Sequence, residues 1–263
     1  LTPMNRSRSQ GNQKKSPTTG ACHGLLFWKG HCRSRNQVTS LQIYEKLAAA
    51  FEPHGLIVRG GFAPSLADRQ RDELPDTARS VVLIGNAGDA MWQAFAAQRA
   101  RDADPLDAWT ERVVLPIAGA FAAEAVFPWS RPYWPFQQWA MRAEAVSPSP
   151  LGILIHPEHG LWHAYRAALV FRDAIDLPPR AERASPCESC ADKPCLSACP
   201  VGAFQEDAYD VSACAAFLSG PTGRATCRTD GCAARAACPV GTPYPPAQIR
   251  FHMAAFYASR PPI

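Results

Sequence analysis

The chain has 263 residues, 47% of them hydrophobic and 19% charged, with a formal net charge of +4. That is enough apolar material for one large or two modest domains. No apolar run nears the roughly 18–20 residues that a membrane-crossing helix needs; the longest candidate, Ala164 to Phe171, is interrupted by Arg166 and closed by Arg172.

The positive charge is confined to the start. Residues 1–40 hold seven of the 27 basic residues and no acid, so the other 20 face 23 acidic ones, a net −3. A basic tail can contact nucleic acid or anionic membrane. This one has no helical or strand periodicity and is rich in Ser, Gln, Asn and Gly, which reads as a disordered or spurious extension, with translation starting near Val38. Gly24 to Trp28 is too short for the apolar segment of a secretory leader, and Cys22 and Cys32 are given no role. A cytoplasmic protein is expected, with no nucleic-acid partner.

From Leu41 to Phe51 the spacing predicts a helix, with Gly55 as its stop. Leu56–Val58 reads as a short strand and Arg79–Ile84 as a longer one. Gly85 to Asp89 then reads as a turn into a helix over Ala90–Ala100. That helix start is either a simple connection or an anion site. Asp104-Pro105 opens a helix to about Phe121, and Ala125–Phe127 reads as a strand. The aromatic and proline-rich stretch Phe127 to Trp139 either lines a flat ligand or fills core around an irregular loop. Leu151–Ile155 reads as a strand, a helix or strand then reaches Phe171, and Asp176 to Arg180 reads as a linker. A C-terminal helix is expected over about Ala247–Tyr257, packing back on the body. The sum is α+β: a mixed domain over 41–180, a small cysteine module over 181–242, and a helix within 243–263.

Eight of the ten cysteines fall between Cys187 and Cys238, at metal-ligand rather than secreted-disulfide spacing. Two 4Fe-4S clusters need eight thiolates, four each. Four-cysteine zinc is the alternative, but only one clean Cys-x-x-Cys pair is present (Cys187 and Cys190), and Cys199-Pro200 and Cys238-Pro239 are not features of a zinc ribbon. The run Cys187, Cys190, Cys195, Cys199-Pro200 resembles that of a bacterial two-cluster ferredoxin. There the cysteine before proline ligates the other cluster. The resemblance implies that Cys187, Cys190, Cys195 and Cys238 hold cluster one, and Cys199, Cys214, Cys227 and Cys232 hold cluster two. The chain departs from the ferredoxin run in its wider gaps, four residues between Cys190 and Cys195 and five between Cys232 and Cys238.

The stretch Pro150 to Trp162, with His156-Pro157-Glu158-His159-Gly160, then Leu177-Pro178-Pro179 and the cysteines, resembles the middle of epoxyqueuosine reductase. His156 to Trp162 with Tyr165-Arg166, and Asp104 to Asp107, are also similar to the mammalian cobalamin-processing chaperone. These families share a nitroreductase-like α/β fold with the reductive dehalogenases. The resemblance implies a corrinoid (cobalamin) pocket involving His156, His159, Trp162, Tyr133 and Trp134. Where epoxyqueuosine reductase presents an acid, this chain has Trp129, and no tRNA-binding repeats follow the second Cys-Pro, so epoxyqueuosine reduction is not expected. His156, His159 and His163 could offer three imidazoles to a metal, but Pro157 and Gly160 break the helix that would align them; a loop shaping a pocket edge, with His156 or His159 carrying a proton, is the other reading. Arg142 and Arg166 could meet a ligand's acidic groups or pair within the core.

The expectation is an iron–sulfur electron-transfer protein that delivers electrons to a corrinoid or other redox centre in its N-terminal domain, served by a redox donor or acceptor protein. The alternative is a ferredoxin-like carrier that docks a redox enzyme and binds no small cofactor besides the clusters.

Overall fold

The computed structural model describes residues 40–72, 74–205 and 208–258. The basic N-terminal stretch up to residue 39, with Cys22 and Cys32, lies outside the described residues. Helix α1 (Ser40–Phe51) passes through a 3-10 turn, Glu52–His54, to Gly55. Gly55 has φ +63, and a Cβ there would sit 2.2 Å from the Ala90 backbone, so glycine both ends the helix and admits the next layer.

Strand β1 (Ile57–Phe62) leads to α2 (Leu66–Arg71), and β2 (Ser80–Ala87) leads to α3 (Ala90–Gln98) and α4 (Pro105–Ala120). Next come β3 (Ala123–Val126), α5 (Phe136–Ala143), a two-residue pair β4 (Ser147–Pro148) and β5 (Leu154–Ile155), and β6 (His163–Phe171). The main sheet is antiparallel throughout, in the order β1-β2-β6-β3.

Alternation along the central strands explains the layers. Val82 and Ile84 of β2, with Ala167, Leu169 and Phe171 of β6, face a core that includes Leu47 and Phe51 of α1, Phe95 of α3 and Trp109 and Val114 of α4. Val81, Leu83, Ala168 and Val170 face the opposite core, filled by Phe136, Trp139, Ala140 and Ala143 of α5. Successive residues of a strand point to opposite faces, so a strand covered on both sides reads as one apolar run.

Two expectations are corrected, and one left open between two readings is decided. The turn at Gly85 to Asp89 begins later, because β2 continues to Ala87; Gly85 carries no side chain where Ala164 O would meet a Cβ at 2.2 Å. The strand at Leu151–Ile155 is only the pair Leu154–Ile155. The aromatic run 127–139 is mostly core: Phe127, Phe136 and Trp139 are buried, and Trp139 Nε1 donates to Asp72 Oδ2 at 2.8 Å.

The cysteine segment holds short helices: α6 (Pro194–Ser197), α7 (Val211–Ser219), α8 (Pro221–Ala225), α9 (Cys227–Asp230) and α10 (Ala233–Ala236). Helix α11 (Pro246–Ala258) returns to the body, where the Phe251 ring lies 5.4 Å from those of Trp92 and Phe95. All the described residues belong to one compact unit.

Candidate metal centres and a neighbouring pocket

The eight cysteines gather in two sets of four. Cys187, Cys190, Cys195 and Cys238 line a cavity of about 210 Å³, and Cys199, Cys214, Cys227 and Cys232 line another of about 490 Å³. All eight are half-buried thiols outside any disulfide.

Local structure places them. Lys193, at φ +37, turns the chain into Pro194, and the single turn of α6 carries Cys195. Asp210 caps α7 by accepting from Ala213 N at 2.8 Å, which sets Cys214 one turn into that helix. Cys227 opens α9, and Cys232 is the residue before α10. Gly231 lies at φ +97 between those two helices, and a Cβ there would come within 2.8 Å of Ile249 Cγ2 on α11. Leu151, Ile155, Leu161 and Ala234 form a small buried cluster against which both sets of cysteines pack.

Ala203 N donates to Cys199 Sγ at 3.3 Å, and the backbone N–H groups of Arg235 and Ala234 point at Cys232. Burial pushes the thiols of Cys187, Cys195 and Cys232 up, and the cysteines sharing their cavities push them further. Four thiolates cannot stay ionised together without a positive partner, which an iron–sulfur core or zinc would supply. Among the described residues, no three His, Cys, Asp or Glu side chains converge closely enough to hold a single metal ion. One zinc with four sulfurs at about 2.3 Å would hold them about 3.8 Å apart. Each set of four cysteines instead lines a cavity.

A third cavity, about 330 Å³, lies between β1, the end of α5 and the loop His156–His159. Its floor is an ion-pair network. Arg59, 3% exposed, pairs with Glu144 Oε1 at 2.8 Å through Nη2 and donates from Nε to Oε2 at 3.1 Å. Its Nη1 reaches Asn86 O at 3.4 Å, and its guanidinium lies over Tyr165, whose hydroxyl donates to Glu144 Oε1.

The network fixes two histidine tautomers. Arg59 Nη2 faces His163 Nδ1 at 3.4 Å; a guanidinium only donates, so Nδ1 accepts and Nε2–H donates to Leu154 O at 3.1 Å. His156 Nδ1 accepts from the backbone N–H groups of Glu158 and His159, leaving its proton on Nε2, 3.8 Å from Glu144 Oε2. Burial, then the Arg59 charge, lowers His156 from 6.5 to about 4 and His163 to about 3. The unfolded chain therefore holds more protons than the folded one below about pH 6.5. Stability should fall as pH drops from 6.5 toward 4, by up to about 1.4 kcal/mol per pH unit for each histidine. Urea denaturation from pH 7.5 to 5 measures the slope, and His163→Gln should flatten it.

This pocket and the first cysteine cavity share a wall. Gly160, at φ +57, lies so close to Val240 that a Cβ would fall 1.8 Å from Val240 O; at Gly241, φ +83, a Cβ would fall 2.1 Å from His159 O. Val240 lines the first cysteine cavity, and His159 lines the pocket.

Of the five residues that the resemblance assigns to a corrinoid, only His156 and His159 line this pocket, with rings stacked 4.4 Å apart. Tyr133 is 64% exposed and lines a separate cavity with Arg71 and Asp72. Trp134 packs against Trp139 at 5.7 Å. Trp162 is buried 5.5 Å from the Tyr244 ring, on the side of Arg235. His163 Nδ1 faces Arg59, and its ring meets that of His156 edge-on at 6.1 Å. Arg142 and Arg166 pair with Asp68 at 2.9 Å and Asp107 at 2.6 Å. Arg59 and Glu144 are absent from the sequence reading, and Tyr165 enters it only within the chaperone-like phrase; the one available signal was a lone arginine inside an apolar strand.

No protein-family model matches the chain, and no characterised protein matches it by sequence. Solved structures are similar to it. An epoxyqueuosine reductase crystallised with an epoxyqueuosine-modified tRNA-Tyr stem loop shares 17% identity over 76% of this chain and 65% of that chain, with a TM-score of 0.48. The epoxyqueuosine reductase of Streptococcus thermophilus shares 12% over 78% and 68%, at 0.49. That of Bacillus subtilis shares 16% over 77% and 66%, at 0.48.

Proposed function

We propose that this chain is an iron–sulfur electron-transfer protein holding two 4Fe-4S clusters, one in each cysteine-lined cavity. The observation that carries the reading is the partition of eight cysteines into two cavities with four each. Cys187, Cys190, Cys195 and Cys238 would hold one cluster, and Cys199, Cys214, Cys227 and Cys232 the other. Such clusters supply one-electron transfer at a potential set by charge, hydrogen bonds and burial.

The pocket floored by Arg59 and Glu144 is the proposed place for the electron acceptor, because His159 in its lining and Val240 in the lining of the first cysteine cavity belong to backbone segments in close contact. Its side chains would bind and orient the ligand: Arg59 and Glu144 fix the floor, and neutral His156 and His159 form one wall. A volume of about 330 Å³ suits a small organic ligand. The corrinoid implied by resemblance is larger, so His156 and His159 would meet only part of it.

Anaerobic reconstitution is expected to load about eight irons and eight sulfides per chain, with EPR signals on reduction. Four irons or fewer, or zinc in their place, would reject the two-cluster reading. Titration with cobalamin and with flavin tests the pocket. If neither changes the spectrum, the acceptor is a partner protein and the chain is a carrier.

A further inference from the structure

The second cysteine cavity has one ionised side chain in its lining, Arg235, and no Asp, Glu or Lys among the described residues. His252 also lines it, but burial and the cations Arg166 and Arg235 lower its imidazole to about 4, so it is neutral near pH 7. Arg235 lies on α10, between Cys232 and Cys238. Its Nε and Nη2 donate to Leu161 O at 3.1 and 2.5 Å, and its guanidinium lies over the rings of Trp162 and Tyr244 at 4.3 and 5.4 Å. The groups that act on its charge are Tyr244 and Cys232, and no carboxylate is among them. Among the described residues, a positive charge is thus fixed beside the second set of thiols with no carboxylate paired to it.

The first cavity lacks this arrangement. The cation in its lining is Lys193, an exposed residue whose charge water and salt screen. A half-buried charge in a wall of aromatic and aliphatic groups acts at much lower effective dielectric.

We propose that Arg235 is the counter-charge of the second cavity, stabilising the electron added to the cluster held by Cys199, Cys214, Cys227 and Cys232 and raising its reduction potential. The inference rests on the two-cluster reading. One-electron reduction by an external donor adds one negative charge to a site already holding four thiolates. No proton is needed for balance, because Arg235 offsets the charge electrostatically. Tethering to Leu161 O and contact with the Trp162 and Tyr244 rings keep the guanidinium from swinging out to water.

The test is a redox titration followed by EPR on the anaerobically reconstituted full chain, as wild type, Arg235→Gln and Arg235→Lys. In Arg235→Gln one of the two potentials should fall so that reduction weakens about tenfold, about 59 mV for one electron, while the other stays put. Cys214→Ser, which perturbs the second site, should identify the signal that moves. Arg235→Lys keeps the charge and should stay within about threefold of wild type. Eight irons with both potentials unmoved in Arg235→Gln would overturn the role of Arg235 and leave the two-cluster reading standing. If the glutamine variant loses iron, the lysine variant decides: a wild-type potential supports the proposal, and a tenfold fall overturns it. A wild-type chain with no reducible cluster would overturn both readings.

Discussion

Glu144→Gln should cost the folded protein roughly 3–5 kcal/mol, the range for removing one partner of a buried ion pair. The side chain of Arg59 is 2% exposed and that of Glu144 15%, so water in the pocket replaces the lost carboxylate only in part. Glutamine keeps the size and one acceptor oxygen, but the guanidinium is left with Asn86 O, His163 Nδ1 and the face of Tyr165 as its other partners. The Tyr165 hydroxyl also loses an anionic acceptor, which raises the cost. Chemical denaturation of both proteins at pH 7.5 measures the difference. A loss under about 1 kcal/mol would mean that Glu144 does not neutralise Arg59. Replacing both by methionine should recover part of the loss, because an apolar pair leaves no buried charge alone.

Gly160→Ala should be at least as damaging, with a loss of about 4 kcal/mol or more, in the range of the severest single substitutions. The obstacle is backbone, not a movable side chain: a Cβ there would fall 1.8 Å from Val240 O, and φ +57 is itself unfavourable for alanine. One chain segment must retreat, and that separates the cysteine segment from the loop holding His156 and His159. Two unfolding transitions in place of one is the expected calorimetric result. Gly241→Ala attacks the same contact from the other side and should behave alike. Gly88→Ala offers a control, because no heavy atom lies within 4 Å of a Cβ there, although its φ of +66 carries a modest strain of its own.

The elements that were legible in the chain are those whose pattern is local. Strand β2 is an apolar run, and α1, α4 and α11 carry helical spacing or a proline start; β6 was legible only as an apolar run that could be helix or strand. Helix α5 was hidden by the prolines and aromatics before it, although Phe136, Trp139, Ala140 and Ala143 fall at the spacing of one helix face and all are buried. Helix α2 spans six residues, too few for periodicity; its trace was Ser65 three before Asp68, a reciprocal cap that forms. The ion-pair floor was out of reach, because Arg59 and Glu144 lie 85 residues apart and meet only after β1 and α5 pack. Arg235 was equally silent: an arginine among alanines reads as a solvated helix face until Trp162 and Tyr244 close around it. The eight cysteines are conspicuous by count, but which four share a cavity depends on where α7, α9 and α10 carry them.

The two cysteine sets are interleaved along the chain. Cys199 sits among the residues of one cavity yet lines the other, and Cys238, the last of the eight, completes the first. A nascent polypeptide emerging from the ribosome therefore presents three members of the earlier site long before the fourth exists. Completing that set of four has to wait until synthesis has passed Cys238, and a message truncated upstream of that codon yields a product unable to finish it.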